Sequence, residues 1–313
     1  MARFWKTLLI TAVSAFLLIL GLIFFRPDLT VPKEAVKQEL RTPASRFLDW
    51  EGAEIHYTDE GEGIPVLMIH GFGGAHTHFS KLAELMKDRY RIIRVDLPGF
   101  GLSDLPALSP GEDYVQKYRD YFSFLLRSLQ LDSLYVIGNS MGGLVTWVAA
   151  ADHPEKVKKI VLLSPAGYEL EKVLAAREPF RYNFLRNAAA RGIPLFMSRH
   201  ELCNAYFHKD KVDESYVLLI NKFVNIKGNI PNMFNVILSD NFPDTALIQK
   251  VRCPALIIWG KEDQVIPADH AARFHRDIRN SKIVIFEHCG HCPMLEDPER
   301  TQAECIRFFE TKL

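Results

Sequence analysis

The chain has 313 residues, of which 48% are hydrophobic and 24% charged, so it is long and apolar enough to bury a large core. Lysine and arginine total 38, as do aspartate and glutamate, and this zero formal net charge excludes a surface built to attract nucleic acid. Five scattered cysteines are too few for a disulfide framework and indicate no redox compartment. We therefore expect one main folded domain.

The first segment is the most apolar part of the chain. Leu8 to Phe25 is a run of 18 residues without a charge, and a helix of that length spans roughly 27 Å, close to one bilayer core. Arg3 and Lys6 precede it, and no small-residue cleavage site follows it. We expect an uncleaved single-pass membrane anchor over residues 1–26, with a cleaved signal peptide as the alternative. A buried core helix fits less well because the run is apolar on every face.

Basic residues flank this run on both sides, so the side of the membrane that holds the rest of the chain stays open. Residues 27–45 are polar, contain three prolines and have no strong apolar period. This composition predicts a tether.

Short apolar runs and longer helix-like stretches alternate from Phe47 onward, which is typical of a mostly parallel sheet covered by helices on both faces. We predict eight strands, at Arg46–Trp50, Glu54–Asp59, Pro65–His70, Arg91–Asp96, Leu134–Gly138, Lys159–Ser164, Ala255–Trp259 and Lys282–Phe286. The fold class is therefore α/β.

The connection between the sixth and seventh strands is too long for an ordinary loop. Residues 169–251 give roughly eighty residues without a strong strand signal, which predicts a helical cap inserted into a core of residues 46–168 and 252–313. The cap contains many aromatic and aliphatic residues. They are expected to form its own small core, and those that face the cleft are expected to contact substrate.

The sharpest motif is Gly138-Asn139-Ser140-Met141-Gly142, a G-x-S-x-G that follows an apolar strand and opens a helix-like stretch. A serine on such a tight strand-to-helix turn is pushed out of the sheet, and the helix N-terminus favours negative charge beside it. Ser140 is the predicted nucleophile.

A serine hydroxyl needs a base, and the base needs an orienting acid, in the order Ser, Asp or Glu, His on this kind of sheet. The loop after the seventh strand offers Asp263, with Glu262 and Asp269 as rivals. We prefer Asp263 because its spacing from Gly260 fits G-x-x-D.

The loop after the eighth strand offers the base. His291 is preferred over His288 because Gly290 permits the turn that returns an imidazole over the serine. Both loops lie at the carboxyl ends of strands, where open α/β sheets place their sites.

An oxyanion hole needs two backbone N–H groups, one after the nucleophile and one from the loop after the third strand. These are predicted at Met141 and at Phe72, the latter within the glycine-rich stretch that begins at His70.

Three other motifs carry less weight. Gly99-Phe100-Gly101 lacks the third glycine of a dinucleotide fingerprint, because Asp104 stands there. Three histidines without further ligand spacing do not predict a metal: His70, His76 and His78.

Cys289-Gly290-His291-Cys292 has the spacing of a redox dithiol, but Pro293 follows it and no thioredoxin-like unit surrounds it. We predict no redox role and no cofactor.

Together these motifs resemble the α/β-hydrolase superfamily over nearly the whole chain from Phe47. The matching stretches are His70-Gly71-Phe72-Gly73, Asp96-Leu97-Pro98-Gly99-Phe100-Gly101, the Ser140 motif, Ser164-Pro165-Ala166-Gly167, Trp259-Gly260-Lys261 and Cys289-Gly290-His291. With the apolar N-terminus, they are similar to membrane-anchored monoacylglycerol lipases and related bacterial lipases. The resemblance implies an ester hydrolase that acts on lipid esters, most simply monoacylglycerols, without a cofactor.

Two other functions stay open. Asn139 and the stretch from Asp96 to Gly101 also resemble the carbon–carbon bond hydrolases of ring-cleavage dienoates, although those usually have tryptophan where Cys292 follows the base. A catalytically silent receptor or scaffold is the alternative of another class, and the complete set of predicted catalytic residues argues against it.

Overall fold

One sheet of eight strands forms the centre of the structure, a computed structural model that describes residues 27–107, 113–169, 175, 177–239 and 243–311. The strands are β1 (Ser45–Trp50), β2 (Ala53–Glu60), β3 (Pro65–Ile69), β4 (Arg91–Val95), β5 (Leu134–Asn139), β6 (Val157–Leu163), β7 (Ala255–Gly260) and β8 (Ser281–Phe286). The eight predicted strands are confirmed, with ends that shift by one or two residues.

The strand order is β1-β2-β4-β3-β5-β6-β7-β8. β2 runs antiparallel to both its neighbours, whereas β4, β3, β5, β6, β7 and β8 are mutually parallel. The carboxyl ends of six strands therefore meet at one edge, which is where such sheets place their sites.

Helices cover both faces of this sheet and fill the connection between β6 and β7. They are α1 (Lys33–Leu40), α2 (Ser80–Met86), α3 (Tyr114–Ser128), α4 (Met141–Asp152), α5 (Asn183–Ala189), α6 (Leu195–Ala205), α7 (Glu214–Val224), α8 (Asn229–Ile237), α9 (His270–Asp277), α10 (Pro293–Glu296) and α11 (Pro298–Glu310). Short 3₁₀ turns lie at His76–Phe79, Glu178–Arg181, Lys209–Lys211 and Thr245–Lys250.

Alternation along the strands explains the two hydrophobic layers. In β7, Ile257 and Trp259 enter one core with side chains of α3, α4 and α9, while Leu256 and Ile258 enter the other with side chains of α2 and α11. Successive side chains of a strand point to opposite faces, so a strand covered on both sides needs a continuous apolar run. The α/β-hydrolase fold class is confirmed.

Helices α5 to α8 form the insert between β6 and β7. Its small core includes Val217, Ile220 and Phe223, all buried. The proposed boundaries of the cap, 169 and 251, stay a prediction.

The segment predicted to be a tether, residues 27–45, differs from that expectation. Val31 forms a parallel bridge with Ile226 of the insert, and α1 buries Val36 against Phe223 and Ile226. The Leu29 N–H donates to Arg191 O at 2.8 Å. These contacts are with residues more than 150 positions away, so no local period in the sequence indicates them.

Within the ranges that the structure describes, no helix has the length and apolar character needed to cross a bilayer. This finding contradicts the predicted single-pass membrane localisation, and we withdraw it together with the membrane as a partner. The run that suggested an anchor, within residues 1–26, lies outside the described residues.

Candidate active site

The three predicted catalytic residues follow three parallel strands at the same edge of the sheet. Ser140 follows β5, Asp263 lies in the loop after β7, and His291 lies in the loop after β8. The carboxyl ends of these strands bring together residues up to 151 positions apart in the sequence.

Ser140 occupies a backbone conformation that side chains rarely adopt, with φ 54° and ψ −119°. Its N–H donates to Leu163 O at 3.1 Å, and its carbonyl accepts from Ala166 N at 2.9 Å and Leu144 N at 3.1 Å. A strained residue persists only when its surroundings over-determine it. These three hydrogen bonds meet that condition, and α4 begins directly after the serine.

The two glycines of the motif are required by close approach. A Cβ atom at Gly142 would lie 2.1 Å from Ile69 O and 2.4 Å from His70 O, and one at Gly138 would lie 2.3 Å from Gly142 O. The start of α4 therefore packs directly against the end of β3, which brings the loop after β3 to the nucleophile.

His291 and Asp263 form a buried pair. Nδ1 of His291 lies 2.8 Å from Oδ2 of Asp263, and both side chains are almost wholly buried. An ionised carboxylate only accepts hydrogen bonds, so Nδ1 carries the proton and Nε2 is left as the basic nitrogen.

The carboxylate of Asp263 is itself held by three donors. Oδ1 of Asp263 accepts from the N–H groups of Val265 and Ile266, at 2.8 and 2.9 Å. Its Oδ2 accepts from the buried indole Nε1 of Trp259 at 3.1 Å. The motif Trp259-Gly260-Lys261 does not predict this contact, although Trp259 stands four residues before Asp263 in the sequence.

The rival residues lie elsewhere. Glu262 accepts from Cys289 N at 3.0 Å, and Asp269 is exposed at the start of α9. His288 is exposed and itself adopts the left-handed conformation, with φ 58°. The proposed reason for preferring His291 is therefore corrected: the left-handed residue of this loop is His288, not Gly290.

Asn139 links the turn at Ser140 to His291. Its side-chain Nδ2 donates to His291 O at 3.1 Å and to Leu163 O at 3.0 Å, and the residue is 2% exposed. On the opposite side, the His291 N–H donates to Ala205 O at the end of α6, at 2.7 Å. The sequence analysis predicts neither contact. The signal available for Asn139 was a polar residue at the end of an apolar strand.

The predicted oxyanion residues border the nucleophile. A Cβ atom at Gly71 would lie 3.0 Å from Ser140 Cβ, so the loop that carries Phe72 touches the serine. In the described part of the chain, neither the Phe72 nor the Met141 amide donates to another protein group. Both are thus open to a ligand oxygen.

His70 fixes this loop to the one after β4. Its Nδ1 lies 2.7 Å from Gly71 O, and its Nε2 accepts from Leu97 N at 3.0 Å. Burial lowers the pKa of His70. A neutral ring that donates at one nitrogen and accepts at the other fits both contacts.

One group of potential metal ligands exists among the described residues: His56, His76 and Asp96. Nδ1 of His56 lies 2.8 Å from Oδ2 of Asp96, and Nδ1 of His76 lies 3.0 Å from Oδ1. The same carboxylate accepts from the backbone of His76 and of Leu102, at 2.6 and 2.9 Å. Each oxygen therefore already has two N–H donors, and the pKa of Asp96 lies well below its usual range despite burial, with His76 and His56 lowering it. The donor set fits a hydrogen-bond network better than a cation site.

The paired cysteines beside the base are poor redox groups. Cys289 and Cys292 are free and buried, and burial raises the pKa of both thiols. The thiolate is the reactive form, so such cysteines are inert.

An apolar crevice adjoins the oxyanion loop. The Phe72 and Phe100 rings pack edge to face at 5.5 Å, and Met233 of α8 lies against Gly73. The described residues that line the crevice include no lysine, arginine or carboxylate: Gly73, Gly74, Phe100, Gly101, Phe223, Val224, Asn229 and Met233.

Comparison with known proteins agrees with this geometry. A family model of the alpha/beta hydrolase fold matches residues 64–298. The chain is 29% identical over 266 residues to a 2-hydroxy-6-oxo-6-(2'-aminophenyl)hexa-2,4-dienoic acid hydrolase of Metapseudomonas resinovorans, covering 81% of this chain and 87% of the relative. It is 27% identical over 259 residues to Lipase 1 of Psychrobacter immobilis, covering 80% and 78%.

Among solved structures, a serine hydrolase involved in carbazole degradation superposes with a TM-score of 0.70 at 25% identity, over 86% of this chain and 99% of that one. The family model spans most of the chain, including Ser140, Asp263 and His291. The protein therefore belongs to the α/β-hydrolase fold family.

Proposed function

We propose that this protein is a serine hydrolase that cleaves carboxylic esters through an acyl-enzyme on Ser140, with His291 as base and Asp263 as acid. The observation that carries the proposal is the strained turn at Ser140, which touches Gly71 of the loop after β3, next to the Phe72 amide, which is unpaired among the described residues. Strain of this kind is maintained at functional sites. A silent scaffold has no need of it.

The proposed reaction has two steps, acylation and deacylation of Ser140. Oγ of Ser140 attacks the ester carbonyl carbon, and its proton passes to Nε2 of His291. The N–H groups of Met141 and Phe72 stabilise the oxyanion, and Asp263 stabilises the imidazolium. The tetrahedral intermediate expels the alcohol, which takes the proton back from His291. Water then attacks the acyl-enzyme by the same route and releases the acid.

An apolar acyl group is the proposed substrate class. The exposed ring of Phe72 and the partly buried Met233 supply carbon surface at the oxyanion loop. The similarity to Lipase 1 of Psychrobacter immobilis supports the same class. Monoacylglycerols are the first natural esters to test.

A second function has its own support. The 29% identical relative is named as a hydrolase of a hexa-2,4-dienoic acid, whose substrate carries a carboxylate. We place carbon–carbon bond hydrolysis second because the crevice offers no cation to pair with that charge among the described lining residues.

Hydrolysis of a substrate panel tests the choice. Monoacylglycerols and p-nitrophenyl esters of increasing chain length would be compared with a ring-cleavage dienoate, with Ser140→Ala as the blank. Each buried methylene contributes about 0.8 kcal/mol, so four more carbons raise kcat/KM by up to roughly two orders of magnitude.

We expect kcat/KM to rise from acetyl to medium chains and to exceed that for the dienoate. A maximum at acetyl esters, or turnover of the dienoate without any glyceride, contradicts the lipid-ester proposal.

A further inference from the structure

A carboxylate outside the predicted catalytic set joins the loop of the base to the insert. Glu296, at the end of α10, is half-buried and accepts two backbone N–H groups, one with each oxygen. Oε1 accepts from Gly290 at 2.7 Å, and Oε2 accepts from Phe207 at 2.8 Å. Gly290 directly precedes His291. Phe207 lies two residues after Ala205, the last residue of α6.

The same two segments also touch through their backbones. The His291 N–H donates to Ala205 O at 2.7 Å. A Cβ atom at Gly290 would lie 2.4 Å from Ala205 O and 2.9 Å from Phe207 N, so only glycine allows this approach. The end of α6 and the base loop are therefore in van der Waals contact, and Glu296 closes the gap beside them.

The carboxylate of Glu296 accepts from backbone groups in a partly buried place. Burial raises the pKa of Glu296 and outweighs the N–H groups of Phe207, Gly290 and His208, which lower it. A carboxylate that accepts several backbone N–H groups forms stronger bonds than a neutral acceptor. The Cys289 thiol, 3.8 Å from Oε1, adds a weak donor.

We propose that Glu296 is a positioning residue that clamps the end of α6 to residues 290 and 291, so that His291 is held over Ser140 only while the insert is in place. The proposal rests on the proposed role of His291 as base. In this proposal the insert helps to position His291.

Glu262, in the neighbouring loop after β7, provides a matched control. It is also half-buried, and its Oε2 accepts the Cys289 N–H at 3.0 Å, while its own N–H donates to Cys289 O at 3.1 Å. Among the described residues it has no hydrogen bond to the insert. Glu262→Gln therefore perturbs the loop of the base without touching the link to α6.

The test compares Glu296→Gln with Glu262→Gln in the full chain. Glutamine has one acceptor oxygen, and its amide group would face one of the two N–H donors. With p-nitrophenyl butyrate, we expect Glu296→Gln to lower kcat by about 10- to 100-fold, because a base displaced by up to an ångström loses its alignment. KM should stay within about threefold, and Glu262→Gln should change kcat by less than about threefold.

Hydrogen exchange supplies a readout that does not depend on activity. In Glu296→Gln the amides of Phe207, Gly290 and also His291 should exchange at least about tenfold faster, because the whole contact with α6 loosens. In Glu262→Gln only the Cys289 amide should respond. Faster exchange of the His291 amide would show the coupling directly, because this N–H donates to Ala205 O and not to Glu296.

The outcomes are separable. Wild-type kcat in folded Glu296→Gln, an equal loss of kcat in Glu262→Gln, or unchanged exchange at His291 overturns the clamp. A wild-type enzyme that hydrolyses no ester defeats the proposed function, and exchange at His291 then still decides whether Glu296 couples the two segments.

Discussion

The base loop is held from two sides by regions of very different construction. On one side, the end of β5 supplies Asn139, which binds the His291 carbonyl. On the other, the end of α6 supplies Ala205, which binds the His291 N–H. The first region belongs to a sheet buried on both faces, and the second to a helical insert. The backbone of Ser140 is thus held by the core, whereas the backbone of His291 has one hydrogen bond to each region.

The two regions also differ in how they cover apolar surface. The strands around Ser140 keep Val136, Ile137 and Leu162 wholly buried. On α6, by contrast, Phe196 is 70% exposed and Met197 44% exposed. The insert has less buried apolar surface to hold its geometry, so it relies more on individual links such as Glu296.

Removal of the nucleophile gives the largest expected effect on the core side. Ser140→Ala should reduce ester turnover by roughly five to six orders of magnitude and abolish labelling by a fluorophosphonate probe. The turn itself should survive, because its three hydrogen bonds involve backbone atoms. Thermal unfolding of the variant checks that point. Labelling that persists in Ser140→Ala contradicts the assignment of the nucleophile.

Loss of the acid should have a smaller effect. Asp263→Asn keeps the shape but turns an amide towards Nδ1 of His291, which favours the wrong tautomer, so kcat should fall by about 10⁴. Steady-state kinetics with p-nitrophenyl butyrate measures the change, and Glu262→Gln is the control. If Glu262→Gln abolished turnover and Asp263→Asn did not, Glu262 would be the acid.

The sequence allowed the sheet, the strand ends and the nucleophile turn to be predicted because these depend on local patterns. Short continuous apolar runs mark the strands, and glycine spacing marks the turn. One strand shows the limit: β6 begins at Val157, which pairs with Leu134, and not at the predicted Lys159. The buried Nζ of Lys159 donates to carbonyls at the end of α11, including Phe309 O at 2.9 Å. A buried lysine is indistinguishable from an exposed one in the sequence.

Contacts between distant segments could not be predicted. Asn139 and His291 are 152 positions apart, and Phe207 and Glu296 are 89 apart. The sequence predicts a tether over α1 because residues 27–45 are polar and have no strong apolar period. Val36 of this helix nevertheless lies in the core of the insert. Such pairings are fixed by tertiary packing and leave no local period.

Asn139 tests the core side of the base. Asn139→Asp is nearly isosteric but removes both N–H donors, so the His291 carbonyl loses its partner and faces a carboxylate instead. We expect kcat to fall about 10- to 100-fold. The rate of fluorophosphonate labelling at Ser140 should fall in parallel. Unchanged kcat in the folded variant would show that the strand end does not hold the base.

Val36 tests whether α1 belongs to the folded unit. It is 2% exposed, so Val36→Ala should lower the free energy of unfolding by about 2 kcal/mol through lost packing against Phe223 and Ile226. Gln38→Ala, at an exposed position of the same helix, is the control and should change stability by less than about 0.5 kcal/mol. Urea unfolding measures both. Equal stability of the two variants would show that α1 contributes nothing to the folded unit and would favour the predicted tether over residues 27–45.

Phe196 gives the smallest expected effect and separates the two faces of α6. Its ring is 70% exposed, whereas Leu202 on the same helix is 7% exposed and lies in the core of the insert. Phe196→Ser therefore removes little buried surface and should shift the free energy of unfolding by less than about 0.5 kcal/mol, while Leu202→Ala should cost about 2 to 4 kcal/mol.

The same pair of variants tests how α6 acts on the base. Because the link to His291 runs through Ala205 at the end of the helix, kcat for p-nitrophenyl acetate should be unchanged in Phe196→Ser and reduced in Leu202→Ala, whose helix end is less firmly seated. Urea unfolding and steady-state kinetics on both proteins measure these differences. A large loss of stability in Phe196→Ser would contradict the exposed position of the ring.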